Sequence, residues 1–166
     1  MRDDMARVTK VRPAGARTLR VRFAGERRGR ELDLTGLMAR SKHFAPLLDD
    51  TEAFAGAQIV EGGLGVAWPV RTKWGRLDVS ASTLRRIAEE QEPMTGEDFA
   101  RWRTELGLSL TEAAKLLGVG RRTIMSYLKK DELPAIVAIA CRALARDKSL
   151  LAARFVPASK ISRPAA

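Results

Sequence analysis

The chain has 166 residues, 45% hydrophobic and 30% charged, with a formal net charge of +10 and a sequence pI near 10.6. That length allows one domain or two small ones. No window approaches about 18 consecutive apolar residues, which excludes an expected membrane span, and the opening MRDDMARVTK lacks the apolar core of a signal peptide.

A single cysteine, Cys141, leaves no partner for an internal disulfide and suits a reducing cytoplasm. The positive charge favours nucleic acid or another polyanion. It is denser toward the C-terminus, where residues 95–166 hold 13 Lys/Arg against 7 Asp/Glu, compared with 17 against 13 in residues 1–94.

In chain order, residues 1–6 are polar, and Arg7–Arg12 (RVTKVR) predicts a short strand ended by Pro13. Thr18–Phe23 (TLRVRF) alternates, with Leu19, Val21 and Phe23 on one face and Arg20 and Arg22 on the other, the pattern of a half-buried strand. Ala24–Arg28, with Gly25, predicts a hairpin turn. Gly29–Leu34 returns through Leu32 and Leu34, completing a three-stranded meander. Pro46 and scattered polar residues then limit the chain to short helical turns near 36–40, 44–48 and 51–54. Ala57–Val60 resumes a strand and Glu61-Gly62-Gly63 turns. Leu64–Val70 alternates through Leu64, Val66, Trp68 and Val70, with Pro69 marking an edge strand or a strand end. Arg71–Arg76 reads as a basic loop around Trp74. Ser80–Gln91 reads as an amphipathic helix, capped by Ser80 or Ser82, that buries Leu84, Ile87 and Ala88 and leaves Arg85 and Arg86 solvated.

The strand RVTKVRP, the hairpin TLRVRFAGERRGRELDL, the segment FAPLLDDTEAF and a strand carrying Trp68-Pro69 follow one another over residues 7–90. In that order they resemble domain-of-unknown-function family 2442, a small bacterial family of uncharacterised α+β domains. Members stand alone or are fused to a helix-turn-helix, and some are encoded beside small toxin-like proteins. The resemblance therefore implies a regulatory or antitoxin-like role and no established chemistry.

Glu92–Thr95 (EPMT) is the expected linker. Thr95 then caps a helix with Asp98 as its partner, Phe99, Trp102 and Leu106 face inward, and Gly107 ends it. Ser109 and Glu112 are spaced as a second capping box. The helix they start carries Ala113, Ala114, Leu116 and Leu117, and Gly118 stops it because glycine takes the left-handed C′ conformation at little cost. Val119 plugs the turn, and a second helix opens at Gly120 with Ile124, Tyr127 and Leu128 inward. Ala114, Gly118, Val119, Ile124 and Tyr127 fall in the register of a helix-turn-helix, and this stretch resembles the lambda-repressor-like (XRE-type) class. Gly120 departs from that class, which usually has serine or another N-capping residue there. Pro134 starts a further helix, PAIVAIACRALARD, apolar enough from Ile136 to Leu144 to be buried on most of its circumference or to form a dimer seam. The tail from Pro157 is low in apolar content and is expected to be disordered. Its Lys160 and Arg163 are better read as solvated than as DNA contacts.

The expected fold class is α+β: a small N-terminal antiparallel β-sheet domain with short helices (1–91), followed by an all-α helix-turn-helix domain (95–156) and a tail (157–166). The expected function is a cytoplasmic, sequence-specific regulator that binds duplex DNA as a homodimer, as a repressor reading a palindrome. Arg121, Arg122, Ser126 and Lys129 are the candidates for base contacts. Ser109, Thr111, Lys115 and Thr123 are the candidates for phosphate. The alternative is an antitoxin or adaptor whose N-terminal domain binds a toxin-like protein, with the helix-turn-helix used for autoregulation or dimerisation. No catalytic, cofactor or metal site is expected. His43 is the only histidine and lacks a nucleophile and acid at readable spacing, Asp49, Asp50 and Glu52 fit a solvated turn, and Gly62-Gly63-x-Gly65 lacks the Lys-Ser/Thr of a phosphate loop. Trp68 is expected in the core and Trp74 in an exposed loop.

Overall fold

The computed structural model describes residues 6–73 and 75–154. The expectations for Trp74, for Lys160 and Arg163 and for the tail lie outside the described residues. The fold is α+β, and the chain divides into two compact units, Met1–Gln91 and Glu92–Ala166. Among the described residues no helix is long and apolar enough to cross a membrane.

The first unit holds two three-stranded antiparallel sheets. One runs β1 (Val8–Pro13), β2 (Thr18–Phe23), β3 (Arg30–Asp33), and the other β4 (Gln58–Ile59), β5 (Gly65–Thr72), β6 (Gly75–Ser80). Between them lie three short helices, α1 (Thr35–Arg40), α2 (Pro46–Asp49) and α3 (Thr51–Ala55), and α4 (Ala81–Gln91) closes the unit. The alternation of β2 puts Leu19, Val21 and Phe23 in the core at no more than 1% exposure. They pack with Leu32, Leu34, Met38, Leu47, Phe54, Trp68 and, from α4, Leu84. Trp68 stays satisfied there because its Nε1 donates to the Phe54 carbonyl at 2.8 Å. Gln91 ends α4 by mimicking a strand partner: its amide oxygen accepts from Asp33 N at 2.9 Å and its amide nitrogen donates to Asp33 O at 2.7 Å.

Several expectations need correction here. Leu64 is 46% exposed, and the strand begins after it. Pro69 marks neither an edge nor an end. β5 is the middle strand of its sheet, and Pro69 falls in the register shift between Trp68 and Arg71, past the short β4, so its missing N–H leaves no ladder bond broken. The basic stretch 71–76 is a hairpin whose ends belong to β5 and β6. β6 itself (GRLDVS) buries Leu77 and Val79 in alternation. Ser80, not Ser82, caps α4, its Oγ accepting from Thr83 N at 3.2 Å. Arg85 is not simply solvated, since its guanidinium lies 5.1 Å from the centroid of the Phe23 ring. His43 is half-buried, with Nδ1 3.3 Å from Thr72 Oγ1.

The second unit holds, among the described residues, five helices: α5 (Gly96–Glu105), α6 (Leu110–Leu117), α7 (Arg121–Tyr127), α8 (Ala135–Arg146) and α9 (Lys148–Arg154). Its core gathers Phe99, Trp102, Leu108, Ala113, Ile124, Tyr127, Val137, Cys141 and Leu144. The EPMT stretch is bound into this unit rather than free: Met94 is buried, and its carbonyl accepts from Leu133 N at 2.8 Å. α8 is not buried all round, because Ile136 is 72% and Ile139 52% exposed.

Candidate nucleic-acid interface

α6 and the turn that follows it are set by a capping box at one end and a glycine at the other. Ser109 Oγ accepts from Glu112 N at 3.2 Å, while Ser109 N donates to Glu112 Oε2 at 2.7 Å, so the start of α6 is closed on itself. At its other end Gly118 has φ +69°. Gly118 N donates to Lys115 O, and Val119 N to Ala114 O at 3.0 Å. That paired pattern is a Schellman stop. It recurs at the end of α5, where Gly107 N donates to Thr104 O and Leu108 N to Arg103 O.

The second helix is anchored by its inner face. Ile124 is fully buried, and the Tyr127 ring meets Phe99 of α5 edge-on with centroids 5.9 Å apart. Its C-terminal end rests on the start of α5. Gly96 N donates to Lys130 O at 2.8 Å, and a Cβ at Gly96 would stand 2.6 Å from Leu128 O and 2.7 Å from Tyr127 O. Only glycine permits that approach.

With the inner face fixed, Arg121, Arg122 and Ser126 are exposed on α7. On α6, Thr111 and Lys115 are exposed one turn apart. The side chains of Arg121, Arg122, Lys115 and Lys129 have no carboxylate or hydrogen-bond partner among the described residues. Three candidates sit differently from expectation. Lys129 lies beyond α7, in the turn where Lys129 N donates to Ser126 O at 3.2 Å, so this helix is seven residues long rather than ten. Ser126 Oγ already donates to Thr123 O at 2.8 Å, which leaves it only as an acceptor. The Ser109 amide is taken by Glu112, which leaves its hydroxyl proton as the remaining donor. Thr123 is half-buried. Gly120 provides no side-chain cap for α7.

Two further residues are exposed here. Met125 is 43% exposed on the outer face of α7, between the arginines and Ser126, and Lys130 is exposed beside Lys129. The signal for Met125 was present, since it follows Arg121 by four residues and avoids the Ile124–Tyr127 stripe. Among the described residues no group of three or more His, Cys, Asp or Glu is placed to hold a metal ion. Cys141 is fully buried, and burial pushes its thiol up to about 12, which disfavours the thiolate near neutrality.

No protein-family model matches the chain, and no curated protein does; the two resemblances drawn from its motifs therefore gain no support there. Among solved structures the chain is similar to a crystal structure of a candidate DNA-binding protein from Nitrosomonas europaea. The two are 27% identical over 96% of each chain, with a TM-score of 0.44.

Proposed function

We propose that the chain is a sequence-specific duplex-DNA-binding regulator that lays α7 in the major groove. The observation that carries this reading is the pair of exposed arginines, Arg121 and Arg122, with no side-chain partner among the described residues, at the start of a helix held by its inner face and its C-terminal end. Arginine at that position of a recognition helix reaches guanine O6 and N7. Met125 offers an apolar contact of the kind that reads a thymine methyl. Lys129 follows one turn on, and Ser126 is left the acceptor's part. Thr111 and Lys115 on α6, with Thr123 and the Ser109 hydroxyl, supply phosphate contacts that position without specifying.

Seven residues of helix read few bases, so the proposal includes a homodimer acting as a repressor on a palindrome, with half-sites about 34 Å apart. The exposed Ile136 and Ile139 on α8 support a second copy seated there. A DNA partner and a lone, buried thiol fit a cytoplasmic setting.

The test is selection of bound fragments from random duplexes, for the natural chain and for Arg121→Ala/Arg122→Ala, across several salt concentrations. An enriched palindrome that the double variant loses supports the reading, with each arginine worth about 1–3 kcal/mol. Equal, steeply salt-dependent binding of every fragment overturns it, because charge alone then explains the affinity. A monomer by light scattering, with one chain per bound duplex, would remove the dimer.

A further inference from the structure

The outer face of the first sheet holds an arrangement that the DNA reading does not use. β1 and β2 set Lys10 directly across from Arg22, and Arg12 across from Arg20. Opposed like charges weaken an antiparallel pair. One strand further, Arg20 faces Glu31, so the same sheet shows the stabilising alternative. Arg27 and Gly29, from the β2–β3 connection, join these four to line a cavity of about 150 Å³. Gly29 lies close against the Arg20 stem, where a Cβ would stand 3.0 Å from Arg20 Cγ.

Five cations thus line one small cavity, and among the described residues Glu31 is the one carboxylate ion-paired to any of them, through Arg20. Arg22 Nε donates to Thr9 Oγ1 at 3.3 Å. Arg20 Nε is shut off from solvent without a partner. The side chains of Lys10, Arg12 and Arg27 have no hydrogen-bond or ion-pair partner among the described residues. The volume equals the share of about five water molecules. It has room for a small oxyanion such as two linked phosphoryl groups. Guanidinium forks match phosphate oxygens bidentately.

We infer that this cavity is a phosphoanion site on the N-terminal unit, taking the pyrophosphate group of a small ligand whose remainder stays outside. The experiment titrates the full chain calorimetrically with inorganic pyrophosphate, then with adenosine 5′-diphosphate. A single saturable site is expected. Lys10→Gln/Arg12→Gln, and separately Arg27→Gln on the turn, should each weaken it about tenfold or more, the scale of lost charge-assisted hydrogen bonds. Lys10→Arg should retain it. Arg121→Ala/Arg122→Ala should leave it unchanged. Thermal melting of the Lys10→Gln/Arg12→Gln variant should be unchanged or raised, because two like-charge oppositions are removed. Diphosphate binding tighter than pyrophosphate identifies a nucleoside-borne group, and equal binding a free one. Absence of saturable binding, or binding that all the sheet variants retain, overturns the inference. So does a Lys10→Gln/Arg12→Gln variant that loses affinity for every duplex while pyrophosphate binding is unaffected, since the face would then be a nucleic-acid backbone contact.

Discussion

At the scale of single residues, two glycines hold the candidate interface, for different reasons. Gly118 is required for its backbone: φ +69° costs an L side chain about 1–2 kcal/mol. Its missing side chain faces open space, with nothing within 4 Å of the Cβ position. Gly96 is required for its volume, because a Cβ would meet the carbonyl oxygens of Tyr127 and Leu128 inside 3.0 Å. Backbone carbonyls at the end of a packed helix cannot swing aside as a flexible side chain can. Gly96→Ala must therefore displace α5 or the end of α7, at a cost of about 2–3 kcal/mol. Gly118→Ala should cost less, and it should leave the two helices in register. Urea midpoints of the two variants test the order. If Gly118→Ala proved the more damaging, the close contact at Gly96 would not be tight in solution.

At the scale of elements, helix ends were the most legible feature of the sequence. Thr95 with Asp98, and Ser109 with Glu112, predicted capping boxes that both form, because the reciprocal bonds involve only residues three apart. The capping bonds of α5 also carry a pH dependence. Thr95 N and Oγ1 donate to Asp98 Oδ2 at 3.0 and 2.8 Å, and they hold that carboxyl below its ordinary range. A folded-state depression means the stabilisation is complete above the unfolded value, about 3.9, and is lost as pH falls through the lower folded value. Asp98 is partly exposed, so solvent screening keeps the effect small. Asp98→Asn should lower the urea midpoint at neutral pH and should flatten its fall below about pH 4. An unchanged acid slope would mean that other carboxylates, among them Asp33 and Asp147 with their own hydrogen bonds, control it. What the sequence hid was non-local. GRLDVS alternates as clearly as TLRVRF, yet the basic residues around it read as loop until Leu77 and Val79 are seen against β5. Pro69 misled because the bulge that accommodates it is a property of two strands. On α8 the apolar run could not reveal which side would lack a covering neighbour, and Ile136 and Ile139 were the ones left bare. Within the candidate site, helical periodicity located the arginines. It could not show that Ser126 Oγ would turn back to Thr123 O, or that the helix would stop before Lys129.

At the scale of the whole molecule, the decisive fact is that the buried residues form two separate cores. One runs from Ala6 to Ala88, and the other from Met94 to Leu151. Each closes without borrowing a buried side chain from the other, so cutting the chain between Gln91 and Glu92 should yield two fragments that fold. Their stabilities should differ. The second fragment is small and helical, and a core of that size supplies only about 3–5 kcal/mol, whereas the first adds two sheets and the Phe44–Trp68–Phe54 aromatic cluster. Calorimetry of the full chain should therefore show two transitions, the lower one matched by fragment 92–166 alone. The same cut separates the two proposed activities. Fragment 92–166 should keep the sequence preference of the full chain for duplex DNA, and fragment 1–91 should keep pyrophosphate binding. A fragment 92–166 that folds but has lost that preference would mean that the N-terminal unit is needed to read DNA, whether by contacting it or by holding the dimer together. A single sharp transition with neither fragment folded would mean that the two cores, though separate in composition, depend on each other for stability.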